Sequence, residues 1–305
     1  MSKTLIAIDK SGSYRVYLTI TTDMVEEARN IHMTTPLATA GLGRVLTAAG
    51  LMGIMLKNPQ DKLTLQFKGE GPAKQILATA DGTGNVKGYI ANPDVDLPLT
   101  KAGKLDVGGS LGLGELTVIK DLGLKEPYMG TIALVSGEIA EDLAAYFFIS
   151  EQQNTSVALG VKIERDYHVG AAGGMIIQML PEAEEEAVDA LEAMIGNLPP
   201  LTSLIDEVKQ KAVGKSEEGL AADLLERIFS EMPSKYQVQK LETREINWCC
   251  DCSKPRLERA LMSIGKQDLA EIIEEDGQAE LQCQFCLKKY HFNKKELEKM
   301  LEELS

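Results

Sequence analysis

The sequence predicts an α+β protein in three parts: a mixed N-terminal domain over residues 1–181 with a buried central helix between sheets, a helical linker over 182–240, and a small cysteine-bearing domain over 241–305. Three observations predict it. Short alternating segments of strand type fill the first part, and amphipathic stripes joined by loose polar connections fill the second. All five cysteines lie in the third, with none before Cys249. They form two clusters, Cys249-Cys250-Asp251-Cys252 and Cys283-Gln284-Phe285-Cys286, thirty residues apart. A disulfide framework scatters cysteines through the fold it staples, whereas two tight groups bracketing a short stretch present four thiolates to one metal ion.

The elements follow in order. Tyr14 to Ile20 and Lys62 to Lys68 alternate like strands, and Asp81-Gly82-Thr83-Gly84-Asn85 reads as a turn between two more. Asp23 opens an amphipathic helix with Glu26 placed to complete a capping box. Pro36 to Leu56 is apolar except for Arg44, which argues against a membrane span and for a helix buried inside the domain; Gly41, Gly50 and Gly53 would let neighbouring elements approach it closely. A helix is expected from Glu138 to about Gln152, then strands at Ser156 to Ile163 and Gly173 to Leu180. In the linker, Ala187, Val188, Leu191, Met194 and Ile195 make one apolar stripe, and Leu220, Leu224, Leu225, Ile228 and Phe229 another, separated by Pro199-Pro200 and a polar segment from Glu207 to Gly219. Such short helices bury little on each other, so they are expected to dock on the first domain with low local stability.

Composition narrows the function. A formal charge of −14 opposes nucleic-acid phosphate, and no basic patch answers it. The first ten residues lack the apolar run of a signal peptide, so a cytoplasmic location with reduced thiols is expected.

In the third part, Ser253 is placed to cap a helix carrying Leu257, Leu261 and Ile264 that ends at Gly265. A second helix spans Asp268 to Glu275 and ends at Gly277. Ala279 to Cys283 and Leu287 to Phe292 read as strands around the Cys-x-x-Cys turn, and Asn293 with Glu296 caps a last helix. So small a module has too little core to fold alone, and a structural zinc, contributing about 10–16 kcal/mol, would supply the difference. Spacing leaves the upstream ligands open: Cys249 and Cys252 make a Cys-x-x-Cys, Cys250 and Cys252 a Cys-x-Cys. His291 alternates with Tyr290 and Phe292 and is expected to point away from them.

Enzyme motifs are weak. Gly108-Gly109-Ser110-Leu111-Gly112 matches a nucleophile elbow, and Asp142 or Asp166 and then His168 follow in hydrolase order. An elbow needs a helix straight after its serine, and here the strand-like Glu115 to Ile119 follows. Gly214-Lys215-Ser216 echoes a phosphate loop but has Lys209 where the first glycine belongs. The protein is expected not to be an enzyme. The alternative function is a constitutive zinc ribbon that binds a nucleic acid or a partner, supported only by Lys288, Lys289, Lys294 and Lys295, with Glu296, Glu298, Glu302 and Glu303 beside them.

Several of these residues together resemble one family. The Cys-x-Cys followed by Ser253, the Leu-x-Ser-Ile-Gly helix end, the Glu-Glu-Asp-Gly-Gln-Ala-Glu turn and the Cys-x-x-Cys followed by Tyr290 are similar to the redox switch of the 33 kDa chaperonin family. Asp121-Leu-Gly, Ser136 to Leu143, Ser150-Glu-Gln152 and Ala171 to Pro181 match its other signatures in order. The resemblance implies a redox-regulated, ATP-independent holdase chaperone. It would be inactive with one zinc bound, activated by disulfide formation and zinc release, bound to unfolding client proteins, and dimeric when oxidised. It makes residues 241–305 a redox-switch domain with zinc ligands Cys250, Cys252, Cys283 and Cys286 and disulfides Cys250–Cys252 and Cys283–Cys286. Cys249 is an added neighbour to the family pattern.

Overall fold

Strand alternation and one apolar helix dominate the architecture of the computed structural model, which describes residues 2–211 and 214–304. Met1 and the centre of the polar segment expected between Glu207 and Gly219 lie outside the described residues. The chain runs β1 (Ser2–Asp9), β2 (Tyr14–Ile20), α1 (Thr22–His32), α2 (Pro36–Gly53), β3 (Lys62–Gly69), β4 (Gln75–Asp81) and β5 (Asn85–Ile90). Next come α3 (Val107–Leu111), β6 (Gly114–Asp121), β7 (Tyr128–Ala133), α4 (Ala140–Ser150), β8 (Thr155–Ile163) and β9 (Val169–Met179). Helices α5 (Glu185–Asn197), α6 (Leu201–Lys211) and α7 (Glu217–Phe229) lead to β10 (Val238–Trp248).

These ten strands form one sheet in the order β7-β6-β3-β4-β5-β10-β1-β2-β9-β8. Its two antiparallel halves meet at β10, which pairs antiparallel with β1 along its length and parallel with β5 only at Asn247 and Trp248. The apolar helix α2 packs on both halves and is buried along almost its whole length, which makes it the centre of the main core. Thr35 caps it, accepting the Ala38 N–H, with Pro36 in its first turn. Its glycines permit the expected close approach: a Cβ on Gly50 would sit 2.7 Å from an Ile246 methyl, and one on Gly41 2.9 Å from Ile76. Arg44 is paired with Glu138, and among the described residues no helix is long and apolar enough to cross a membrane.

The linker helices bury their stripes on strands β1, β2, β8 and β9. Ala187 and Leu191 of α5, Leu204, Ile205 and Val208 of α6, and Ala221, Leu224, Ile228 and Phe229 of α7 share a second core with Leu5, Tyr14, Val16 and Leu18. Phe229 stacks on Tyr14 at 6.1 Å between centroids. Lys209 anchors α6 by donating to Thr22 Oγ1 and the Gly170 carbonyl, each at 3.0 Å.

Three features differ from expectation. Helix α1 begins at Thr22 without a side-chain cap, and Glu26, expected to complete a capping box with Asp23, instead pairs with Arg29 and accepts the Val169 N–H. Helix α6 fills part of the segment expected to be polar connection, because Leu201, Leu204, Ile205 and Val208 keep helical spacing directly behind Pro200. Strand β10 runs through the boundary expected at residue 241, and the break between the two compact units falls between Cys249 and Cys250. Charged and polar residues run through its centre and only Ile246 is fully buried, so no apolar alternation marked it. Backbone pairing and ion pairs such as Lys3 with Glu245 hold it instead.

The second unit, from Cys250 onward, contains α8 (Lys254–Met262), α9 (Lys266–Glu275), a hairpin of β11 (Gln278–Gln282) and β12 (Lys289–Asn293), and α10 (Lys294–Glu303). Gly265, expected to end the first helix, is the N-cap of α9 at φ +100°, and α8 stops at Met262. The Asn293–Glu296 capping box forms as expected. Seven side chains make the core: Leu261, Leu269, Ile273, Tyr290, Phe292, Leu297 and Met300.

Candidate metal centre

Two loops of the second unit converge on one point. The upstream cysteines sit in the extended stretch between β10 and α8, which begins after Ser253. The downstream pair occupies the turn of the β11–β12 hairpin, held by the Leu287 N–H donating to the Cys283 carbonyl and the Cys283 N–H donating to Lys288. Leu287 takes φ +57° to close this turn.

The structure brings together Cys250, Cys252, Cys283 and Cys286, with all four sulfurs within 4.8 Å of one another. Cys250 lies 3.7 Å from Cys283, and Cys252 3.3 Å from Cys286. A tetrahedral zinc with Zn–S near 2.3 Å would hold its sulfurs about 3.8 Å apart, so the donor set and its spacing fit such an ion. Cys249 is exposed and outside this group, and its N–H donates to the Val86 carbonyl.

The thiols differ electrostatically. Burial pushes Cys250 and Cys286 up. Burial opposes ionisation of Cys252 as well, but hydrogen bonds from the Tyr290 hydroxyl and the neighbouring thiols outweigh it and bring that thiol down to about 7. The Cys252 contact, reinforced by burial, raises Tyr290 to about 12. The Tyr290 contact is the feature of the site that sequence reasoning missed. Alternation along β12 placed Tyr290 and Phe292 on one face, which signals a core position, but nothing in the pattern pointed its hydroxyl at Cys252.

His291 is exposed and lies 3.3 Å from Glu280, outside the sulfur group. Lys289 also pairs with Glu280, and Lys288 rests over the Tyr290 ring. Of the glutamates expected to answer these lysines, Glu296 pairs instead with Lys254.

The hydrolase elements do not assemble. Ser110 lies within α3, buried, its hydroxyl donating to the Val107 carbonyl at 2.7 Å, and β6 follows. The Asp142 carboxylate is occupied by the N–H groups of Val135, Ser136, Gly137 and Ile139. His168 faces Asp166 in an exposed turn. In the phosphate-loop echo, Ser216 caps α7 and Lys215 pairs with Asp223.

Comparison with known proteins converges on one family. The model described as Hsp33 protein matches residues 2–293. A 33 kDa chaperonin of Alkaliphilus metalliredigens is 46% identical over 304 residues, covering 99% of each chain. One of Clostridioides difficile is 47% identical over 301 residues, covering 98% of each. The crystal structure of the Thermotoga maritima 33 kDa chaperonin superposes with a TM-score of 0.83 at 38% identity, covering 98% of both chains. With a matching family model spanning most of its length, relatives near half identity and a shared fold, the chain belongs to the Hsp33 family of chaperones.

Proposed function

We propose that the protein is a redox-regulated, ATP-independent holdase: inactive while reduced with one zinc on Cys250, Cys252, Cys283 and Cys286, and activated when those residues form disulfides and zinc is released. The observation that carries this proposal is the sulfur cluster, which joins two chain segments inside a unit with only seven buried core side chains. Bound zinc would keep the sulfurs deprotonated and cross-link the Cys250–Cys252 segment to the hairpin turn.

The chain supplies the rest of the chemistry. A thiolate takes one oxygen from peroxide to become a sulfenic acid, and its neighbour then displaces that oxygen as water and closes the disulfide. Closure of Cys250–Cys252 and Cys283–Cys286 consumes all four ligands. The Cys-x-x-Cys ring closes with less strain than the Cys-x-Cys ring, so Cys283–Cys286 forms first. With its cross-link gone, the unit from Cys250 onward loosens, and the linker helices α5–α7 follow, exposing stripes such as Leu224 and Phe229 to unfolding clients. The oxidised form is a homodimer, and the protein acts in the cytoplasm without catalysing a reaction.

In the test, reduced protein carries one zinc and suppresses aggregation of an unfolding client poorly, while peroxide-treated protein has lost zinc and suppresses it without ATP. Equal suppression in both states would reject the switch and favour a constitutive zinc-ribbon binder. A paired test fixes the ligand set: Cys249→Ser retains zinc and activation, whereas Cys250→Ser weakens zinc binding in reduced protein. The reverse pattern would assign the upstream ligand to Cys249.

A further inference from the structure

The Tyr290 hydroxyl faces two groups of a single residue, the carbonyl to which it donates and the sulfur, at which either partner can donate. It lies 3.2 Å from Cys252 Sγ and 3.1 Å from the Cys252 carbonyl oxygen, and a phenol has one proton to give. The ring belongs to the buried core of the second unit, with Leu261, Leu269, Phe292 and Leu297, and the Lys288 ammonium lies 5.3 Å from its centroid. Core membership and the two contacts to Cys252 together therefore hold this hydroxyl in place.

We propose that Tyr290 is a positioning residue of the thiol centre, whose hydroxyl holds the Cys252 sulfur in its reduced form and biases the Cys250–Cys252 pair against closing into a disulfide. A thiolate sulfur accepts a charge-assisted hydrogen bond, and the phenol proton goes to it. A disulfide sulfur is uncharged and a weak acceptor, so after oxidation the proton is left with the carbonyl. The difference stabilises the reduced state. A hydrogen bond to a charged group exceeds one to a neutral group by enough to shift this equilibrium about tenfold. Closure also requires Cys252 Sγ to leave a hydroxyl anchored in the core and turn toward Cys250, whose own sulfur faces Cys283. Tyr290 lies against Cys252 and not the downstream pair, so its restraint adds to the ring strain that already delays Cys250–Cys252 and widens the gap between the two pairs.

The role presupposes the Cys250–Cys252 disulfide proposed above. Tyr290→Phe keeps the ring in the core and removes only the hydroxyl; Phe292→Leu disturbs the same core and leaves the hydroxyl. Full-length protein is equilibrated in glutathione buffers at a fixed free zinc concentration, and each disulfide is quantified by mass mapping. For each bond, one glutathione disulfide takes up the two electrons and two protons that the thiols release. The readout is the gap between the midpoints of the two pairs. Tyr290→Phe should move Cys250–Cys252 about tenfold relative to Cys283–Cys286, about 30 mV toward easier oxidation, while Phe292→Leu moves both pairs together and leaves the gap unchanged. An unchanged gap in Tyr290→Phe, or a gap that Phe292→Leu changes equally, overturns the assignment. A wild type that forms neither disulfide overturns the proposed switch and this role with it, whereas a wild type that switches beside an unmoved Tyr290→Phe overturns this role alone.

Discussion

Removing zinc from the reduced protein by chelation abolishes protected structure in residues 254–303 and leaves the sheet of residues 2–248 intact. The second unit has helices of nine to ten residues and a two-stranded hairpin with five residues per strand. Neither an isolated hairpin nor a helix of that length is stable alone in water. A core of seven buried side chains with half-buried neighbours such as Leu257 and Ile272 must offset the ordering entropy of the whole unit, which leaves almost nothing over at this size. A structural zinc adds about 10–16 kcal/mol, far more than any side-chain contact there. Amide exchange before and after chelation measures the outcome. Protection that persists in α8–α10 with zinc demonstrably gone would show that the core suffices, and a metal-based latch would then have nothing to release.

Replacing Leu224 by aspartate makes the reduced, zinc-loaded protein suppress aggregation as the oxidised wild type does. Leu224 is fully buried where α7 meets the sheet, within the cluster that includes Leu5, Leu18 and Phe229. A carboxylate there loses the apolar contacts and has no partner, a combination that costs several kcal/mol and is relieved by detaching the helix. Asp223→Asn, one residue away on the exposed side where Asp223 pairs with Lys215, is the control and changes little. Limited proteolysis of residues 182–240 reports detachment separately from function. If α7 detaches and suppression does not rise, the linker stripes are not what clients meet.

Much of the fold was legible where local chemistry and burial agree. Strands β3 and β4 alternate between buried and half-buried positions, and α2 is apolar on almost all sides, so sequence and core point to the same elements. The sulfur group was legible because four metal-binding side chains in two tight groups have few other uses. Three kinds of information were hidden. Strand β10 is held by backbone pairing to a partner more than two hundred residues away and carries charges outward, so it has no local signature. Helix α6 has a helical stripe, but Pro199-Pro200 and the polar residues after it masked its start and length. At the site, the choice between Cys249 and Cys250 depends on how the chain turns after β10, which spacing does not encode, and the Tyr290 contact depends on where a core ring ends.

The central position of β10 also bears on biosynthesis. The strand that joins the halves of the sheet is among the last segments of its unit to be synthesised, and its partner β1 is the first. Until residue 248 has left the ribosome, β1 and β5 each keep an unpaired edge, the kind of edge that recruits strands from other chains. At about 5–20 residues per second, the interval between β1 and β10 lasts tens of seconds at the slow end. A member of a chaperone family thus keeps two open sheet edges throughout the synthesis of its first unit, and truncation anywhere before Val238 would leave them open permanently.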